Sequence, residues 1–254
     1  MKEEHDTMTH LGEHAIVIGA SMGGLLAARA LVDYYDKVTI LERDALPEAD
    51  EPRKGGPQGR HAHGLLARGR EALEQLFPSF TEEMVARGAL SGDIGQGVLW
   101  YNHGFYLCDA PTNLVGMGIS RPMLEGGVRR RLLQFSTIEL PERCEALQVA
   151  VEPSHGRVTG VRVQARGNPD NAETMSGDLV VDASGRGSAS PSWLATLGYL
   201  TPREEQIKIN VAYMTRQYRR PPQICGASLA PSSQRARRVG AAAEFWRRKA
   251  SAGS

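Results

Sequence analysis

The chain has 254 residues, of which 41% are hydrophobic and 23% charged, and its 30 basic against 29 acidic side chains leave a formal charge of +1. That balance excludes a chain too polar to form a core, and it gives no electrostatic footprint for nucleic acid, which is not expected as the main partner. Cys108, Cys144 and Cys225 form no CxxC pair, which argues against a disulfide framework or a zinc cluster and for a reducing compartment.

After a polar start, His14 to Ile18 is a short apolar run, Gly19 to Gly24 a glycine-rich turn, Met22 to Tyr34 helical in composition, and Lys37 to Leu41 a second strand. Strand, turn, helix and strand within about 30 residues make a βαβ unit with a covered parallel sheet. The apolar stretch Ala15 to Val32 holds Gly19, Ser21, Gly23, Gly24 and Arg29, and acidic Glu3, Glu4, Asp6 and Glu13 precede it. It suits neither a signal peptide nor a membrane span, so a soluble cytoplasmic protein is expected, with no membrane partner.

Asp44 to Gly59 is polar and carries Pro47, Pro52, Pro57, Gly55 and Gly56, which predicts a long loop. A helix is expected from His61 to Phe77, with Leu65, Leu66, Leu73 and Leu76 on one face. Val98 to Cys108 reads as a hairpin about Asn102-His103-Gly104. Ser120 is placed to cap a helix from Arg121 to Phe135, burying Leu124, Val128 and Leu132. Glu145 to Glu152 and Arg157 to Ala165 form a second expected hairpin, Leu179 to Asp182 a core strand, and Gln206 to Tyr218 an extended strand. From Arg216 onward nine basic side chains face one acidic residue, Glu244. Residues 220–254 thus read as a basic tail, disordered or out of frame.

Gly19-Ala20-Ser21-Met22-Gly23-Gly24 lies where a dinucleotide-binding turn presents backbone N–H groups and a helix N-terminus to a pyrophosphate. Gly19 permits the turn, Gly24 lets helix and strand approach closely, and Ser21 replaces the middle glycine. Glu42 ends the second strand, where a carboxylate accepts hydrogen bonds from ribose hydroxyls. The same run matches GxSxG literally, but its place ahead of the first helix, with Glu42 behind, favours a nucleotide cradle over a nucleophile elbow. His61 and His63 form an HxH pair with no second ligand cluster, so no metal is expected.

Three segments carry a resemblance to the FAD-dependent monooxygenases related to para-hydroxybenzoate hydroxylase and the squalene epoxidase-like enzymes. They are the turn running into Ile40-Leu41-Glu42-Arg43; Gln58-Gly59-Arg60-His61-Ala62-His63-Gly64-Leu65 with Ser120-Arg121-Pro122; and Gly177-Asp178-Leu179-Val180-Val181-Asp182-Ala183-Ser184-Gly185-Arg186-Gly187-Ser188. In the last, Ser184 stands where the family carries aspartate, with Asp182 two residues earlier.

The resemblance spans residues 12 to 219. It implies an α/β fold with a Rossmann-like FAD-binding domain, three-layer and GR2-type, over 12–90 and 113–197. Parts of a β-sheet substrate domain interrupt it at 91–112 and 198–219. It assigns Gly19, Ala20, Ser21, Gly23, Gly24, Glu42, Arg43, Arg60, Arg121, Asp182, Ser184 and Gly185 to FAD, the arginines suiting phosphate by their planar fork. It implies NAD(P)H as electron donor and oxygen transfer to an aromatic ring or alkene, with no acid or base side chain nominated. The family's later Gly-Asp segment has no match after Gly198, so an N-terminal part is expected, by truncation or a frameshift near Arg220. A flavin-dependent reductase or halogenase and an inactive nucleotide-binding fragment are the alternatives; the halogenase WxWxIP signature is absent. Oligomeric state is left open.

Overall fold

In a computed structural model, the described residues are 9–48, 50–61, 63–96, 101–102, 104–153, 156–167, 171–200, 202–209, 211–212 and 214–216. The elements run β1 (Gly12–Ile18), α1 (Met22–Leu31), β2 (Tyr35–Leu41), a 3-10 turn (Pro57–Arg60), β3 (Gly64–Leu65), α2 (Ala67–Leu76), α3 (Phe80–Ala86), β4 (Leu90–Asp93), β5 (Tyr101–Asn102) and β6 (Phe105–Tyr106). Then follow β7 (Val115–Gly118), α4 (Arg121–Leu132), β8 (Ile138–Glu139), β9 (Cys144–Glu152), β10 (Arg157–Ala165), β11 (Ala172–Ser176), β12 (Leu179–Asp182), a second 3-10 turn (Gly185–Gly187) and α5 (Ser190–Thr196).

The chain divides into two compact units. One comprises Met1–Glu48 with Val128–Ile209, the other Ala49–Gly127 with Asn210–Ser254.

The first unit holds a four-stranded sheet in the order β12-β1-β2-β8 and a three-stranded sheet β11-β10-β9. Every pairing in the first sheet is parallel, and β1 sits between β12 and β2. Ala15 to Ile18 and Val38 to Leu41 are buried without alternation, the pattern of parallel strands covered on both faces. Leu25 and Ala28 of α1 are fully buried, one helical turn apart. Ile16, Ile18, Leu41, Val161 and Val163 join in one core, against which Cys144, Met175, Val180 and Trp193 pack.

The second unit holds the antiparallel sheet β3-β7-β4 and the β5-β6 hairpin. Phe77, Phe80 and Met84 are buried in it, and the rings of Phe77 and Phe80 lie 6.2 Å apart. A Cβ on Gly127 would meet the Met84 sulfur at 2.8 Å, so glycine lets α4 lie close to α3.

The βαβ unit, the β9–β10 hairpin and the β12 strand are present, and Ser120 does cap α4: its Oγ accepts the Met123 N–H at 3.3 Å. Of the hairpin expected at Val98 to Cys108 the described residues show Tyr101 and Asn102 paired with Tyr106 and Phe105, while 98–100 and 103 lie outside them. Leu124, Val128 and Leu132 are all buried, though α4 ends at Leu132 and not at the expected Phe135. Three further expectations are corrected. The helix expected from His61 starts at Ala67, because Gly64 and Leu65 pair with Gly118 and Met117 instead; Leu66, left between strand and helix, is 73% exposed. Helix α1 ends at Leu31 and a turn leads to Tyr35, three residues before the expected helix end. No strand forms among the described residues of 206–218; the alternation of Ile207, Ile209 and Val211 meets no partner strand there, and a strand needs one. The tail at 220–254 lies outside the described residues.

His14 of β1 links β2 to the end of β11, contacting the Ser176 carbonyl at 2.7 Å through Nδ1 and the Thr39 hydroxyl at 2.8 Å through Nε2. Thr39 is fully buried. Thr39→Val removes the hydroxyl while keeping its shape, and is expected to lower unfolding free energy by about 1–3 kcal/mol in a urea titration.

Candidate functional site: the crevice at the strand ends

The carboxyl ends of β12, β1 and β2 lie side by side. From β1 the chain passes through α1 to β2 on one side, and returns much later to β12 on the other. This makes a topological switch point between β1 and β12, the place where open α/β sheets bind ligands. Gly19 leaves β1 with φ +98°, and its N–H donates to the Leu41 carbonyl at 2.8 Å. Ala183 leaves β12 with its N–H on the Ile18 carbonyl at 2.9 Å. A Cβ at Gly19 would stand 2.9 Å from the Ala183 carbonyl oxygen, so the two turns touch.

Gly24 fixes where α1 begins: a Cβ there would lie 1.7 Å from the Gly19 carbonyl oxygen. Ser21 is the N-cap, with φ −87° and ψ −179°, an ordinary extended backbone, and makes no side-chain capping bond. The first four N–H groups of a helix have no intrahelical acceptor and carry its positive dipole end. Here they open at the switch point. A Cβ on Gly23 meets nothing within 4 Å. The cradle therefore has room beside its amides, as the diphosphate of a dinucleotide needs.

Glu42, only 4% exposed, closes the other side. Its Oε2 accepts the Ala20 N–H and its Oε1 the Asp44 N–H, each at 3.0 Å. Its backbone is held as well, with the N–H on the Pro141 carbonyl and the carbonyl accepting from Cys144. Beyond it, Arg166 holds the Asp44 carboxylate at 2.5 Å. The exposed Arg43 guanidinium comes within 4.0 Å of where a Gly187 side chain would begin.

Asp182, at the end of β12, turns its carboxylate onto the chain that follows it. Its Oδ1 accepts the Ser184 N–H at 2.9 Å and the Ser184 hydroxyl at 2.5 Å, while its Oδ2 accepts the Ser188 hydroxyl at 2.5 Å and the Ser190 hydroxyl. The carboxylate thus organises the 3-10 turn Gly185–Gly187 and the start of α5. Partial burial raises its pKa, but the three hydroxyls and the Ser184 amide outweigh this and bring it to about 2. Sequence reading singled out Asp182, Ser184 and Gly185 but not Ser188 or Ser190. The signal was present, three serines at positions 2, 6 and 8 after an aspartate.

Gly19, Ala20, Ser21, Gly23, Gly24, Glu42, Arg43, Asp182, Ser184 and Gly185 all belong to this unit. Arg60 and Arg121 belong to the other, where Arg60 ends the first 3-10 turn and Arg121 opens α4. Burial and the neighbouring Arg121 guanidinium push the His63 imidazole below its ordinary pKa, against a backbone hydrogen bond at Ile119. His63 Nδ1 is buried without a hydrogen-bond partner among the described residues. His61 Nδ1 instead meets the Thr215 hydroxyl at 2.9 Å. Among the described residues no three His, Cys, Asp or Glu side chains gather as a metal cage, and no helix is long and apolar enough to cross a membrane.

Gly24→Ala is expected to lower stability by more than about 3 kcal/mol, because the methyl group overlaps a backbone oxygen. Gly23→Ala should leave it unchanged or raise it by up to about 1 kcal/mol; thermal unfolding of the pair reads the contrast. Because the Asp182 pKa is depressed, its contribution to stability is fully present above about pH 4 and disappears as pH falls toward 2. Asp182→Asn should therefore flatten that part of the acid-unfolding profile.

No protein-family model matches the chain. It is 38% identical to Protein Rv3254 of Mycobacterium tuberculosis (strain ATCC 25618 / H37Rv) over 216 residues, 82% of this chain and 45% of that protein. It is 27% identical to FAD-dependent monooxygenase dpchE of Colletotrichum higginsianum (strain IMI 349063) over 229 residues, 87% and 44% of the two chains. The chain thus spans under half the length of these curated relatives. Its backbone superposes on PqsL of Pseudomonas aeruginosa with a TM-score of 0.55 at 15% identity, covering 77% of this chain and 48% of that one. For p-nitrophenol 4-monooxygenase PnpA from Pseudomonas putida DLL-E4 the TM-score is 0.53 at 12% identity, covering 73% and 44%. At such identities the likeness is one of fold, an α/β arrangement with a parallel sheet.

Proposed function

We propose that this chain, a member of the FAD-dependent monooxygenase family, holds FAD at the crevice between β1 and β12 as part of an NAD(P)H-dependent hydroxylase or epoxidase acting on an aromatic or alkene small molecule. The observation that carries the reading is the convergence, at one switch point, of the open α1 N-terminus, the buried Glu42 carboxylate and the Asp182-ordered turn. The α1 amides suit a diphosphate, and Glu42 suits a ribose. Arg43 rims the crevice, and the resemblance assigns Arg60 and Arg121 to the same cofactor.

When bound, FAD supplies the redox and oxygen chemistry, and NAD(P)H is the proposed donor. The chain's own groups bind and orient. The α1 dipole and amides offset negative charge, the Glu42 carboxylate sets the direction in which the nucleotide lies, and the turn after β12 bounds the crevice opposite.

The finer reading of the fold is the three-layer, GR2-type arrangement, with 12–90 and 113–197 forming the FAD domain and 91–112 and 198–219 belonging to a substrate domain. We place the protein in the cytoplasm, with no nucleic-acid or membrane partner.

Titration of the purified chain with FAD, followed by quenching of flavin fluorescence, tests the binding. Saturable binding at one FAD per chain is expected. Ser21→Leu should weaken it by about tenfold or more, and Ser21→Gly should keep it within about threefold. Absence of saturable quenching would falsify the reading. NAD(P)H consumption in air by the flavin-loaded chain separates turnover from binding alone.

A further inference from the structure

The run Ser184-Gly185-Arg186-Gly187-Ser188 that follows β12 is poorly suited to hold a shape by itself. It contains two glycines, and Gly185 takes φ +75°, a conformation that glycine visits freely. Both ends of the run are nevertheless fixed within the first unit. At one, the Ala183 N–H donates to the Ile18 carbonyl of β1. At the other, Trp193 of α5 packs on the core that Ile16, Ile18, Leu41, Val161 and Val163 form.

Asp182 joins those two ends across the turn. Its Oδ2 accepts the hydroxyls of Ser188 and Ser190, six and eight positions ahead, and the Ser188 oxygen accepts the Ser190 N–H at 3.1 Å. Ser190 is the first residue of α5. The carboxylate thus closes 183–187 into a loop held at both ends, which removes most of its backbone freedom. A carboxylate has about four acceptor positions. The Ser184 N–H and the hydroxyls of Ser184, Ser188 and Ser190 fill them, so Asp182 has none left for a ligand hydroxyl. The loop itself borders the crevice: a Cβ on Gly19 would stand 2.9 Å from the Ala183 carbonyl oxygen, and one on Gly187 4.0 Å from Arg43 Nη1.

We propose that Asp182, Ser188 and Ser190 act as one set of positioning residues for the dinucleotide, touching no cofactor themselves and fixing the conformation in which the 184–187 turn meets it. The inference rests on the reading of the crevice as the FAD site. Asp182 thereby moves from the cofactor contact that the resemblance implies to a group acting from behind the turn, and Ser188 and Ser190 become determinants of affinity. Without this set the glycine-rich turn samples many conformations, and the entropy lost in ordering it opposes ligand binding.

Two readouts on the full chain separate the ordering of the turn from its effect on the cofactor. One is the rate at which trypsin cuts after the exposed Arg186 in the flavin-free protein, followed by mass spectrometry; the other is the FAD dissociation constant from fluorescence quenching. Melting temperatures set an assay temperature at which the variants are folded. Asp182→Ala, and Ser188→Ala combined with Ser190→Ala, are each expected to speed that cleavage and to weaken FAD binding by roughly tenfold or more. Ser188→Thr combined with Ser190→Thr keeps both hydroxyls and should stay within about threefold of the unaltered chain on both readouts. Adding the two serine-to-alanine changes to Asp182→Ala should weaken binding no further, since the three groups act together. If Asp182→Ala does not fold, the serine pair supplies the measurement. Unchanged cleavage after Arg186 in the alanine variants overturns the ordering of the turn, and faster cleavage with unchanged FAD affinity overturns its link to the cofactor. Weak binding by Asp182→Ala beside normal binding by the serine pair also overturns the proposal and makes Asp182 a direct contact. Additive losses in the combined variant do the same for the serines. No saturable FAD binding by the unaltered chain removes the FAD reading, and this inference with it, whatever the cleavage shows.

Discussion

The close approach of Gly24 to the Gly19 carbonyl is the constraint from which the rest of the crevice follows. A space that a single methyl group would overfill, 1.7 Å from a backbone oxygen, brings the first turn of α1 directly against the end of β1. Only with the helix starting there do its first-turn amides open between β1 and β12. A helix displaced by one side-chain diameter would direct the same dipole elsewhere, and its field falls off within about one turn. The positive φ of Gly19 serves the same end, because the chain must reverse immediately after β1 while the Gly19 amide stays bonded to Leu41.

The turn after β12 shows how position matters more than residue type. The resemblance would set Ser184 at an aspartate position, and the carboxylate two residues earlier, Asp182, is taken up by the chain that follows it. Ser184 already has the helical backbone (φ −71°, ψ −9°) that opens the 3-10 turn, whereas Asp182 is the last residue of β12. There it accepts three hydroxyls and an amide, a demand that leaves an aspartate ionised far below neutrality. The serines at 184, 188 and 190 make this possible by supplying donors at the spacing of a 3-10 turn followed by a helix start. The consequence for the crevice is a wall ordered from within.

What was legible in the sequence was local. The β1-α1-β2 unit, the Ser120 cap and the hairpin between β9 and β10 depend on periodicity and turn chemistry within about 30 residues, and all three are found. The short elements α3, β4, β7, β8, β11 and α5 escaped, since two to seven residues carry little periodic signal. The start of α2 was misjudged because Leu65 and Leu66 continue a helical pattern, while Gly64 and Leu65 are claimed by β7, more than 50 residues away. Likewise the alternation near Ile207 reports a capacity for pairing, which only a partner strand can realise. For the site, Gly19, Gly24 and Glu42 were legible because each answers a steric or hydrogen-bonding demand of the turn itself. Arg53 and Glu125 were only half legible. The four-residue spacing of Arg121 and Glu125 signals a helix pair, but nothing in the sequence brings Arg53 to the same carboxylate across 72 positions.

Three carboxylates, Glu42, Asp182 and Glu125, share one physical logic. A charge withdrawn from water is tolerated only when donors surround it; Glu42 and Glu125 are buried and Asp182 half-buried, and each divides its two oxygens between separate donors. Each therefore cross-links two pieces of chain: Glu42 the turn before α1 and the exit of β2, Asp182 the turn after β12 and the start of α5, Glu125 the Arg53 segment and α4. In the crevice this has a directional consequence. The α1 N-terminus favours negative charge and the fixed Glu42 carboxylate opposes it, so the two sides of one small space differ in sign. A ligand that is anionic at one point and offers hydroxyl donors at another fits such a space in a single orientation, with its anionic part at the helix and its hydroxyls at Glu42. The polarity is set by backbone amides and a buried acid held by backbone N–H groups, so it is in place before any ligand arrives.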